Sequence, residues 1–259
     1  MKRRLAVITV MFCVVVIGAG AASGESVQRG NLRLVFNGRF SPQALPRDRL
    51  APVTVDLRGS VSTTDGSPAP RLERISIAVN RYGAVFTRGL PACLPGRLQQ
   101  TTTQVALSRC RGALVGHGAF VAKIALPELP TFPVEGKLLA FNSRDRGRPA
   151  IVVHIYGSNP VQATIVLPFK ITHPAGGAFG TVLTTRIPPF ASDVGYITGI
   201  SLTFGRRYRY AGEQRSFLSA RCAAPGGFPG AVFPFARGSF SFVTGQTVPI
   251  TLARQCRVR

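Results

Sequence analysis

Beyond residue 24 the groups that could make or break bonds are few: His117, His154 and His173, four cysteines (Cys93, Cys110, Cys222 and Cys256), and acids that occur singly. A hydrolase needs a nucleophile held against a base that is itself oriented by an acid. His117 lies between Gly116 and Gly118, which reads as a turn, and His173 precedes Pro174 and so belongs to a loop. His154 sits inside the apolar run Ala150–Tyr156, where a hydrogen-bonded core histidine is the expectation. The chain has no Gly-x-Ser-x-Gly elbow, no His-Glu-x-x-His and no Gly-rich phosphate loop. Ser108-Arg-Cys110-Arg111 followed by His117 has the outline of a wall-type cysteine transpeptidase, but the matching Cys222 has no histidine near it.

Acids are the scarcest useful group, 10 in 259 residues. A glycosidase needs two carboxyls facing across a cleft, and a calcium site needs several clustered oxygens. No Asp-x-Asp cluster exists, and Asp65 in Thr-Thr-Asp-Gly-Ser reads as a turn residue. No catalytic residue, no metal site and no cofactor are expected, and the protein is read as a non-enzyme. The alternative is an extracytoplasmic hydrolase or transpeptidase centred on His154 or His173, with Asp193 or Glu213 as the acid.

The N-terminus sets the compartment. Lys2, Arg3 and Arg4 precede an unbroken apolar run from Leu5 to Ile17, and small residues Ala19 to Ser23 follow, the pattern of a secretory signal peptide over 1–23. An uncleaved N-terminal anchor is the alternative. Four cysteines then remain for an oxidising compartment, and the expected pairs are Cys93–Cys110 and Cys222–Cys256, each within one half of the chain.

The elements that must position any site are strands. Val53-Thr-Val55-Asp-Leu57-Arg places aliphatic residues on one face and polar ones on the other, and the same rhythm recurs in Ile75–Asn80, Ile200–Phe204, Phe240–Phe242 and Ile250–Ala253. Ala150–Tyr156 is apolar throughout and reads as a central strand buried on both faces. The longest mature stretch without Gly or Pro, Arg97–Arg111, carries Thr101-Thr-Thr103 and no 3.6-residue rhythm, so no helix is expected there.

The chain also resembles itself. Ile75-Ser-Ile-Ala-Val-Asn-Arg81 matches Ile200-Ser-Leu-Thr-Phe-Gly-Arg206; Ala106–Cys110 matches Leu218–Cys222; Gly112–Val115 and Gly118–Phe120 match Gly230–Phe233 and Gly238–Phe240. The expectation is an all-β chain of two tandem immunoglobulin-like β-sandwich domains, 31–126 and 136–259, joined by a Pro-rich linker at 127–135.

A net charge of +22, from 32 Lys and Arg against 10 Asp and Glu, is concentrated in the second domain, which holds 15 basic and 3 acidic residues. Its densest run is Arg206-Arg207-Tyr208-Arg209-Tyr210, where guanidinium groups alternate with rings, a pattern suited to an anionic partner. Behind an export signal that partner is an anionic wall polymer, an acidic polysaccharide or a membrane surface rather than nucleic acid. The sequence therefore reads as a secreted or cell-envelope β-sandwich protein with a structural or binding role.

Overall fold

The computed structural model describes residues 25–124, 128, 130–158, 162–189 and 195–259. The expected signal peptide at 1–23 lies outside the described residues. In chain order the strands are β1 (Glu25–Arg29), β2 (Leu32–Ser41), β3 (Ala44–Leu45), β4 (Ala51–Pro52), β5 (Thr54–Thr63), β6 (Leu72–Asn80), β7 (Gly83–Val85), β8 (Leu114–Ile124), β9 (Phe132–Asp145), β10 (Arg148–Gly157), β11 (Ala163–Thr172), β12 (Phe179–Arg186), β13 (Gly195–Phe204), β14 (Arg207–Tyr210), β15 (Glu213–Ser216), β16 (Leu218–Ala220), β17 (Gly230–Phe242) and β18 (Thr247–Val258). Among the described residues a single α-helix, α1 (Thr103–Cys110), falls between β7 and β8. The all-β expectation holds, and the alternating runs named above lie in strands, except that Val53 falls between β4 and β5.

Thirteen strands form one sheet in the order β1-β2-β5-β13-β8-β9-β10-β11-β12-β6-β17-β18-β3. It curls until its two ends meet. The inner face of β2 packs on β17, with Phe36 against Phe240 at 5.6 Å between ring centroids and Phe40 against Phe235 at 5.4 Å. Arg254 of β18 reaches across to the Gly38 carbonyl and to Asn37 Oδ1 of β2. Between the layers lies an apolar core in two connected clusters, one around Leu34, Phe36, Phe240 and Leu252 and the other around Phe120, Leu138, Val153 and Phe217. Leu57, Leu183 and Leu218 touch both.

The order departs from the expected pair of separate sandwiches. β13, from the second half, lies between β5 and β8 of the first, and β6, from the first half, lies between β12 and β17 of the second. The registers correspond. Ile200 faces Phe120 and Leu202 faces Gly118, while Ile75 faces Phe240 and Ile77 faces Gly238. The ladder of β8 with β9 slips by one residue at Val115, and that of β17 with β18 slips at Phe235. The sheet also runs through the expected linker, because Phe132–Glu135 open β9 and pair with Val121–Ile124. Pro133 is tolerated there because β10 pairs with β9 only from Gly136 onward, leaving that side of the strand without a ladder to break.

Ala150–Ile155 of β10 is buried on both faces, as its continuous apolar character requires. One face meets the interior of the curled sheet and the other is covered by residues 93–113, where Cys93, Leu98, Ala106 and Ala113 pack on Leu139, Phe141 and Val152. That cover contains α1, contrary to the expectation of no helix. Thr102 caps the helix by accepting a hydrogen bond from Val105 N, and only the small residues Ala106 and Cys110 are buried, so the stripe is too narrow to register as helical periodicity. Gly116-His117-Gly118 is strand rather than turn. A Cβ on Gly118 would lie 1.8 Å from the Ser201 carbonyl oxygen, so the glycine serves close backbone approach.

Candidate functional site

Arg206–Tyr210 forms a small hairpin outside the main sheet, with β14 paired to β15 through Arg207↔Ser216, Tyr208↔Arg215, Arg209↔Gln214 and Tyr210↔Glu213. Ala211 and Gly212 join the two strands, both at positive φ (51° and 80°), the conformation of a two-residue type I′ turn that matches the strand twist. One face of the hairpin docks on the body. The Tyr208 hydroxyl donates to the Arg88 carbonyl at 2.9 Å, and the Tyr210 ring lies against Gly89, where a Cβ would come within 2.4 Å of the ring. Burial raises the Tyr208 phenol above its usual range.

The five sequence-picked residues therefore separate into two roles. Arg206 donates to the Arg111 and Leu114 carbonyls at 3.1 and 2.8 Å, and Tyr208 and Tyr210 anchor the hairpin. Arg207 and Arg209 are exposed on the opposite face and make no hydrogen bond or ion pair among the described residues. Arg215 is taken by Glu213 at 2.6 Å. Other arginines act as Arg206 does, tying loop carbonyls: Arg47 binds the carbonyls of Ala224, Pro225 and Phe228, and Arg221 binds the Arg47 carbonyl while lying 4.8 Å over the Tyr82 ring. Guanidinium suits this use because its donors fork in a plane and stay charged. Part of the high arginine content is thus spent inside the fold.

The histidines do not meet: His117 and His154 share one row of the sheet with Leu139 between them, and His173 follows β11. His154 is fully buried on β10, and its Nε2 lies 3.1 Å from Thr101 Oγ1 and 3.0 Å from the Thr101 carbonyl; its Nδ1 has no hydrogen-bond partner among the described residues. Burial holds its pKa below the usual histidine value. His173 donates from Nδ1 to the Gly180 carbonyl at 3.2 Å. His117 points outward from β8, opposite Thr203 and Leu139. Of the two acids considered as partners, Glu213 is ion-paired with Arg215 on the hairpin, and Asp193 lies outside the described residues. Among the described residues no three His, Cys, Asp or Glu side chains gather as metal ligands.

Both disulfides form as expected, Cys93–Cys110 and Cys222–Cys256. They leave no thiol for a transpeptidase at Cys110. Asp65 accepts from Ser67 N and Oγ at 3.0 and 2.6 Å and from Asn31 at 2.9 Å, which fixes it as a turn residue and depresses its pKa.

Sequence reasoning missed the outer face of β2, β5, β13 and β8. Asp56 there accepts from Thr203 Oγ1 at 2.6 Å and from Arg39 Nε at 2.8 Å, and these bonds hold its carboxyl below the usual range. Beside it an open groove of about 370 Å³ crosses the four strands, and a smaller hollow of about 120 Å³ adjoins it; Asn37 and Arg58 border both. Alternation could have named the outward residues of each strand, but only the exchanged position of β13 brings them into one surface. The chain matches no protein-family model, no curated protein and no solved structure.

Proposed function

We propose that this is a secreted or cell-envelope, non-enzymatic β protein that binds anionic envelope polymers or lipid headgroups. The observation that carries the reading is the hairpin β14–β15. Two tyrosines fix one face to the body, and two guanidinium groups, Arg207 and Arg209, stand on the other with no acidic partner among the described residues. Such groups attract phosphate and carboxylate while keeping their solvation until contact. Two disulfides fit an extracytoplasmic location, and among the described residues no helix is long and apolar enough to cross a membrane.

The same reading takes the two halves as copies of one unit, with β6 and β13 as equivalent strands exchanged between them. Its support is the agreement of three features: the matched blocks in sequence, the equivalent registers of Ile75 on Phe240 and Ile200 on Phe120, and the slip at Val115 and Phe235, which occupy equivalent places. A β-bulge is retained within related strands, so its recurrence supports common descent of the halves.

The test of binding is retention of the mature protein on purified anionic wall material at low salt. The R207S/R209S variant is expected to elute at clearly lower salt with an unchanged unfolding midpoint. Equal retention of variant and wild type would remove the hairpin as the binding element. Arg206 is kept, since its loss would release the two carbonyls it ties.

A further inference from the structure

We infer that the groove across β2, β5, β13 and β8 is a second binding site, for an acidic polysaccharide, centred on Arg58. This rests on the reading of the protein as a binder of anionic envelope material and names one ligand class and its place. The groove holds about 370 Å³, within the range of ligand sites. Arg58 makes no hydrogen bond or ion pair among the described residues, and nearby Asp56, whose charge Arg58 also feels, is hydrogen-bonded by Arg39 and Thr203. Asn37, which lines the groove, accepts from Arg254 at its Oδ1, and its amide nitrogen makes no hydrogen bond among the described residues. Ser60 and Ser201 add hydroxyls.

The floor is kept low by Gly199, where β13 carries a register shift between Ile197 and Gly199. A Cβ there would meet nothing nearer than 3.8 Å, so a larger side chain would fill the groove without disturbing the sheet. One row of facing residues runs Asn37, Arg58, Ser201, Ala119, Lys137, with small side chains between the two cations. Three strand spacings separate Arg58 from Lys137, about 14 Å. Glu135 lies in the next row. Widely spaced single cations separated by neutral donors suit a hydroxyl-rich chain with one carboxylate per sugar. A phosphate-dense polymer calls for clustered cations, and the outward Val35 and Val121 flank Gly199 with an apolar strip on which the face of a sugar ring can lie.

The experiment measures binding of the mature protein to polygalacturonate, to neutral dextran and to vesicles containing phosphatidylglycerol. Binding to polygalacturonate but not dextran is expected. Arg58→Gln should weaken it about tenfold or more, the loss of a charge-assisted hydrogen bond, and Gly199→Val should do the same by filling the groove, while R207S/R209S retains groove binding. Unfolding midpoints identify any variant that fails to fold, and Arg58→Gln alters only a surface side chain. Polygalacturonate binding that survives both groove variants and is lost in R207S/R209S overturns the groove and leaves the hairpin reading intact. Vesicle binding without polygalacturonate binding does likewise. No binding to any anionic probe overturns both.

Discussion

Cross-linking can decide whether β6 and β13 change places. In the exchanged arrangement Ser76 of β6 faces Ser239 of β17, and Ser201 of β13 faces Ala119 of β8. Were each half to form its own sandwich, the same registers would put Ser76 opposite Ala119 and Ser201 opposite Ser239. Directly facing residues in an antiparallel pair have Cα atoms about 4.5–5.5 Å apart, inside the span of a disulfide. These four positions carry small side chains on the outer face, so cysteine there removes nothing from the core. The S76C/S239C pair is expected to oxidise spontaneously on folding, as is S201C/A119C; S76C/A119C and S201C/S239C are not. Because residues 76 and 239 enclose a loop of well over about 100 residues, the chain-entropy estimate for the first cross-link is roughly 5 kcal/mol. At about 2–4 °C per kcal/mol for a chain of this size, that is a rise in Tm of up to about 10–20 °C. Peptide mapping under non-reducing conditions identifies the bonds, and calorimetry with and without reductant gives the shift. Oxidation of S76C/A119C in place of S76C/S239C would refute the exchange.

Other perturbations have equally definite outcomes. Replacing Cys222 and Cys256 together by Ala should cost about 4 kcal/mol in a denaturant titration, since the bridge closes 34 residues and both sulfurs are buried. Gly118→Ala should cost about 3 kcal/mol, because the added carbon meets backbone at Ser201 and no side chain can move aside. His154 has a folded pKa below its unfolded value, so it binds protons more readily when unfolded. Stability should therefore fall as pH drops below about 6.5, and urea midpoints of His154→Gln should lack that slope. Asp56 is likewise depressed, so its contribution is present above about pH 4 and disappears as pH falls through its folded pKa; Asp56→Asn should flatten the acid limb of the same titration.

How far the sequence was legible follows from the range of the forces involved. Facing of strands is local: alternation in Val53–Arg58 and Ile75–Asn80 fixes which side chains point inward whatever the neighbours are, and the burial of both faces of β10 follows from its unbroken apolar run. Cysteine pairing within each half was also legible, because short closures cost the unfolded chain least. Partner choice is not local. Ile75–Val79 and Ile200–Phe204 offer nearly the same apolar face, so either could sit beside β8, and the pattern of one strand contains nothing that distinguishes the two. The helix α1 escaped notice for a different reason: a cap, two small buried residues and a disulfide hold it, and none of these produces amphipathic rhythm. For Arg206 the run of arginines was visible but its carbonyl partners were not, since Arg111 and Leu114 are brought near only by the fold.

The exchange of β6 and β13 also dictates when the molecule can fold. β6, made early, finds both of its neighbours only after β12 and β17 have been synthesised, and β8 waits in the same way for β13. Contact order is therefore high, and no nucleus within the first half can complete a layer. A ribosome adding about 5–20 residues per second leaves these edges unpaired for many seconds, exposed to other chains as well as to their own. A truncated product ending before β13 leaves β8 and β6 without these neighbours and should be cleared by proteases rather than persist as a smaller domain.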